Sequence, residues 1–233
     1  ASFQIRKKNM QNISAEIQAI KRQLGDNLCI MGHHYQNDAV VQHCDITGDS
    51  LELARRVPQI DADFIVFCGV YFMGESAALL AKPGQSVYLP SLDADCLMSQ
   101  MTPAPLARKV LEQLHAAGRK IIPLAYVNTD LALKAVVGEY GGAVCTSANA
   151  GVMLQWAMKQ GDGVLFLPDR HLGNNTATAL GIPPQDRHVL RIGSKGLVEP
   201  ETQALDRKLL LWPGCCAIHA RFDPDDVREM RAA

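Results

Sequence analysis

Ile13, Ile17, Ile20 and Leu24 recur with the three-to-four-residue period of a helix and predict one near the start of the chain. Beyond them the period changes. Short unbroken apolar runs, bounded by Gly, Pro or Asp, predict strands over 28–31, 64–67, 86–89, 121–124, 143–145, 164–167 and 209–212. Helical patterns over 50–56, 75–80, 105–116 and 151–158 lie between them. Strands apolar on both faces, alternating with helices, predict buried parallel sheets and an α/β fold.

The pattern also repeats. A strand runs into His33-His34-Tyr35-Gln36-Asn37 and a helix, and another runs into Tyr126-Val127-Asn128-Thr129 and a helix, with Tyr35 and Tyr126 91 residues apart. Phe67-Cys68-Gly69 is matched with Val144-Cys145-Thr146. Tyr88-Leu89-Pro90 leads to Cys96 as Leu211-Trp212-Pro213 leads to Cys216. This predicts repeated three-layer parallel-sheet domains over 1–105 and 106–212, with a surface excursion between 180 and 208. Pro224 with Asp223, Asp225 and Asp226 marks a further helix start, so 213–233 reads as the beginning of a truncated third domain.

Composition narrows the function classes. Twenty-three basic against twenty-four acidic side chains give a net charge of −1, which argues against a nucleic-acid surface or a polybasic membrane surface. No uncharged apolar run is long enough to span a bilayer. Seven cysteines, an odd number in a chain of 233 residues, point to a reducing cytoplasm and to special cysteines acting as ligands or nucleophiles.

Cys96 and Cys216 stand at matched loop positions, and neither belongs to a Cys-x-x-Cys pair. Cys29, Cys68 and Cys145 lie in apolar strands and read as core. His33, directly after a buried strand, suits a general acid or base, or equally a histidine bonded to a neighbouring loop. His219 and His171 are similar candidates. Tyr35 and Tyr126 could supply phenolic donors or simply pack. Ser50 and Ser147 sit at strand-to-helix turns whose backbone amides suit a phosphate or carboxylate, the alternative being an ordinary helix cap. Neither a phosphate-binding P-loop nor a dinucleotide fingerprint is present, so small anions fit better than nucleotides.

Eight ordered stretches carry a resemblance: His33-His34-Tyr35-Gln36, Gly48 to Ala54, Val70 to Glu75, Ala94-Asp95-Cys96, Tyr126 to Thr129, Cys145 to Ala150, Pro168 to Gly173, and Trp212 to His219. Together they resemble quinolinate synthase, the iron–sulfur enzyme of NAD biosynthesis. The resemblance implies three similar α/β domains in a pseudo-threefold plan, with only two complete here. It also implies one cysteine from each domain on a central [4Fe–4S] cluster. Cys96 and Cys216 would be two of the ligands, the third lying in a C-terminal segment absent from this chain.

By the same resemblance the chain is a cytoplasmic transferase condensing iminoaspartate with dihydroxyacetone phosphate to quinolinate, phosphate and water. Tyr35, Tyr126 and His33 would be catalytic. His33, Ser50, Tyr126, Asn128, Ser147 and His219 would bind substrate. The implied partner is the L-aspartate-oxidising enzyme that supplies iminoaspartate. The alternative is a catalytically incompetent fragment, or a non-catalytic protein binding a small dicarboxylate or phosphate.

Overall fold

The structure is a computed structural model describing residues 2–198, 206–218, 221 and 223–232, with side chains from Asn12 onward. It divides into two compact units, Ala1–Asp95 and Cys96–Ala233.

The first unit runs α1 (Ser2–Leu24), β1 (Leu28–His33), α2 (Asp38–Val41), β2 (Ile46–Gly48), α3 (Ser50–Arg56), β3 (Phe64–Cys68), α4 (Tyr71–Leu80) and β4 (Ser86–Tyr88). Its sheet is all parallel in the order β2-β1-β3-β4, with Met31 opposite Ile46 and Leu28 opposite Phe64. Helices α3 and α4 pack on this sheet. A cavity of about 810 Å³ separates Leu28, Ile30, Phe64 and Val66 of the sheet from Ile13, Ile17 and Ile20 of α1.

The second unit runs α5 (Ala104–Ala116), β5 (Ile121–Tyr126), α6 (Leu131–Glu139), β6 (Ala143–Cys145), α7 (Ala150–Met158), β7 (Gly163–Leu167), α8 (Arg170–Ala179), β8 (Arg187–Val189), the hairpin β9 (Ile192–Gly193) and β10 (Gly196–Leu197), and β11 (Leu209–Leu211). A further helix covers Pro224–Ala232. The five-stranded sheet is parallel in the order β6-β5-β7-β11-β8. Each central strand serves two cores because successive side chains point to opposite faces. Ile121, Ala125, Leu165 and Leu210 join the side chains of α5 and α6 on one face. Ile122, Leu124, Phe166 and Leu211 join those of α7 and α8 on the other. That double burial is why these strands read as unbroken apolar runs.

Three expectations change. The 180–208 excursion is not only surface: β8 extends the sheet and Leu190 is buried in the core. The helix expected over 75–80 begins earlier, at Tyr71. The repeat pairs differently too. β3 lies beside β1 as β7 lies beside β5, whereas β6 occupies the edge position of β2. Cys145 therefore corresponds to Gly48, not to Cys68. His33 pairs with Gly48 as Tyr126 pairs with Cys145, so the counterpart of Tyr126 is His33, and that of Tyr35 is Asn128. Matching cysteine to cysteine along the chain put two non-equivalent strands together. Among the described residues no helix is long and apolar enough to cross a membrane.

Candidate functional site

The candidate residues fall at the carboxyl ends of parallel strands, where loops rather than sheet present side chains. The two units build this end alike. In the first, the amide of His34 donates to the carbonyl of Gly48 at 3.1 Å, and Ser50 follows two residues later. In the second, the amide of Val127 donates to the carbonyl of Cys145 at 2.8 Å, and Ser147 follows two residues later. A strand end bonded to an edge strand, then a serine, is thus made twice.

In the first unit His33, His34 and Tyr35 form a trio of rings with centroids 4.5 to 4.6 Å apart, His33 tilted against the other two and His34 edge-on to Tyr35. His33 is buried and Tyr35 is 84% exposed, so the trio runs from the sheet out to solvent. The amide of Tyr35 donates to Nδ1 of His33 at 3.2 Å. An N–H donor at Nδ1 leaves Nε2 as the protonated nitrogen of the neutral ring. Burial lowers the His33 pKa below the usual histidine value; His34 adds to this and Asp49 opposes it. His33 is therefore a neutral hydrogen-bond donor near pH 7.

Ser50 opens α3, but the Asp49 carboxylate already caps that helix, accepting from the amides of Leu51 and Glu52. A ligand anion beside Asp49 would meet its negative charge, so Ser50 can contribute its hydroxyl rather than a helix-end amide site. At α7 the cap differs. Asn149 turns back to accept from the amide of Thr146 at 2.7 Å, and no side chain caps the first turn of α7. The exposed Ser147 lies in the turn between Thr146 and Asn149, just ahead of the helix.

The second unit also contains Cys96 and Cys216. Cys96 is half-buried, and its Sγ accepts from Asn128 Nδ2 at 3.9 Å. Its carbonyl accepts from the Ser99 amide and hydroxyl, making a tight turn. Cys216, also half-buried, follows Trp212-Pro213-Gly214-Cys215 beyond β11. That loop is pinned from α8: the Arg170 amide donates to the carbonyl of Gly214 at 2.9 Å, and Arg170 Nη1 to that of Pro213 at 3.2 Å. Gly214 must lack a side chain, since a Cβ there would lie 2.6 Å from the Pro168 carbonyl oxygen. The Cys96 turn reaches the same loop. Trp212 Nε1 donates to the Met101 carbonyl at 2.8 Å, and the Cys215 amide to the Met101 Sδ at 3.4 Å.

The three cysteines of the strands behave differently from the loop thiols. Desolvation pushes Cys145 up to about 12 and Cys29 and Cys68 up to about 11, so all three stay protonated thiols. Among the described residues no three His, Cys, Asp or Glu side chains come together as a metal ion would need. His219 lies outside the described residues. The exposed His171 lies in the first turn of α8, its amide donating to the carboxylate of the buried Asp169 at 2.8 Å. Sequence reasoning missed Met101, and a lone methionine ahead of Thr102-Pro103 carries no pattern that would have found it.

Residues 15–233 match the family model described as quinolinate synthetase A protein. The chain is 42% identical to the quinolinate synthase of Streptomyces coelicolor over 94% of its own length. It is 43% identical to that of Bacillus subtilis over 95%, and 45% identical to that of a Nocardioides species over 92%. It spans 57%, 60% and 57% of those three relatives' own lengths.

Proposed function

The chain belongs to the quinolinate synthetase A family, and from that premise we propose that the protein condenses iminoaspartate with dihydroxyacetone phosphate to quinolinate, phosphate and water, as a cytoplasmic step of NAD biosynthesis. The observation that carries this reading is that one turn is tied to both loops: Cys96 is held by Asn128 beyond β5, and Met101 of the same turn holds the Cys215 amide beyond β11.

The thiols present fit a [4Fe–4S] cluster in donor type, because Cys96 already accepts an amide hydrogen bond of the kind that steadies a thiolate. Cys96 and Cys216 would hold two of its positions. A cluster with one open iron supplies a Lewis acid for carbonyl, hydroxyl or carboxylate oxygens. The further thiolate would come, on this reading, from the third domain of the family plan.

The chain's own residues supply binding and proton handling. Neutral His33 donates from Nε2 to a substrate oxygen, and the phenol of Tyr35 shares the keto–aldose and dehydration proton transfers. Tyr126, which ends its strand where His33 ends the first unit's, presents a phenol in the second unit. Asn128 orients the intermediate's polar groups while holding Cys96. Ser147, beside the uncapped first turn of α7, suits a phosphate or carboxylate, and Ser50 adds a hydroxyl in the matching position. His219 would contact a dicarboxylate. The partner enzyme implied is one that oxidises L-aspartate, since iminoaspartate must be supplied as it is used.

The test is quinolinate formation under anaerobic conditions by the intact protein and by Tyr126→Phe. The expected result is quinolinate from the parent protein and a rate lowered about 10²-fold or more in the variant, with unchanged iron. An unchanged rate removes Tyr126 from the chemistry. Absence of quinolinate from iron-replete protein favours the alternative, a non-catalytic binder of a small dicarboxylate or phosphate.

A further inference from the structure

We propose that Met101 is a positioning residue that locks the Cys96 turn to the Cys215–Cys216 loop and so fixes how the two thiols are presented; the bearing on a cluster rests on the thiolate reading above. Cys96 cannot move independently of Met101. The Ser99 amide and hydroxyl close a turn onto the Cys96 carbonyl at 2.8 and 2.7 Å, and the Met101 amide donates to the Met98 carbonyl at 3.1 Å. Met101 then grips the other loop at three points. Its carbonyl accepts from the indole of Trp212, its Sδ accepts from the Cys215 amide, and its Cβ lies 3.3 Å from where a Gly214 Cβ would stand.

Each point has a physical reason. Trp212 is 2% exposed, so its N–H depends on a protein acceptor. The amide of Cys215 immediately precedes Cys216, so fixing it limits the directions the Cys216 thiol can take. A thioether suits this place because it packs as an apolar chain against Gly214 while still offering a weak acceptor. Leucine would fill the volume and leave the Cys215 amide without an acceptor, whereas glutamine has nearly the shape of methionine and restores one.

The test compares Met101→Leu and Met101→Gln with the parent, all in the intact protein. Alkylation of Cys215 and Cys216 by iodoacetamide is followed by mass spectrometry on metal-free protein, and iron retention under chelator on reconstituted protein. Met101→Leu is expected to speed alkylation and iron loss about two- to tenfold, the worth of one hydrogen bond. Met101→Gln is expected to restore both, which a purely space-filling role would not produce. Parent-like alkylation in Met101→Leu overturns the proposal. Should that variant fail to fold, faster alkylation in Met101→Gln than in the parent overturns it instead. Full iron in Cys96→Ala or Cys216→Ala sinks the thiolate reading separately, leaving Met101 to be judged by alkylation alone.

Discussion

Burial holds His33 below the ordinary histidine value, with a pH consequence for both stability and chemistry. The unfolded chain takes up this proton near about pH 6.5, while the folded protein does so only at lower pH. Stability associated with His33 is therefore fully present above the unfolded value and is lost as pH falls through the folded value. Urea unfolding of the parent should show this loss on acidification, and His33→Gln should show a shallower one; identical pH slopes would mean that burial does not hold the ring neutral. At Gly214 the decisive quantity is space. Gly214→Ala drives a methyl against the Pro168 carbonyl and should cost about 1–3 kcal/mol, read by chemical denaturation. That His33 and Tyr126 stand where strands end was legible, because unbroken apolar runs lead into both. The equivalence of Cys145 with Gly48 was not legible, because strand order across a sheet leaves no trace in local spacing.

The central strands announce themselves because both faces are buried, and every residue of β7 and β11 is buried. Phe166→Ala, facing α7 and α8, should cost about 3–5 kcal/mol by urea denaturation, whereas a cost near zero would mean the two-core account of β7 is wrong. Elements that escaped reading have reasons of their own. Helix α8 buries Gly173, Thr176 and Ala177, so its core face carries no large apolar period. Strand β8 is an edge strand, and two of its three residues are Arg187 and His188. Helix α3 was legible to its bounds because Asp49 caps it in the usual way. Asp49→Ala should remove about 1 kcal/mol of stability, seen in the melting temperature. It should also lower the His33 pKa further, since Asp49 favours the protonated ring; a raised value by NMR titration would contradict the assigned electrostatics.

As a whole, the α/β class followed from alternating runs and helices, and the sheets bear it out. The local plan made at His33, Gly48 and Ser50 recurs at Tyr126, Cys145 and Ser147, an internal repeat of backbone arrangement. The thiols obey a different logic: Cys96 follows β4 in sequence yet belongs to the second unit, held there by Asn128. The measurement that tests the account most directly is quinolinate formation from iminoaspartate and dihydroxyacetone phosphate by the intact, iron-loaded protein, set beside Cys96→Ala. The account predicts quinolinate from the parent, and in the variant both iron and product lost. Product formed at the parent rate by Cys96→Ala, or none formed by fully iron-loaded parent, would contradict it.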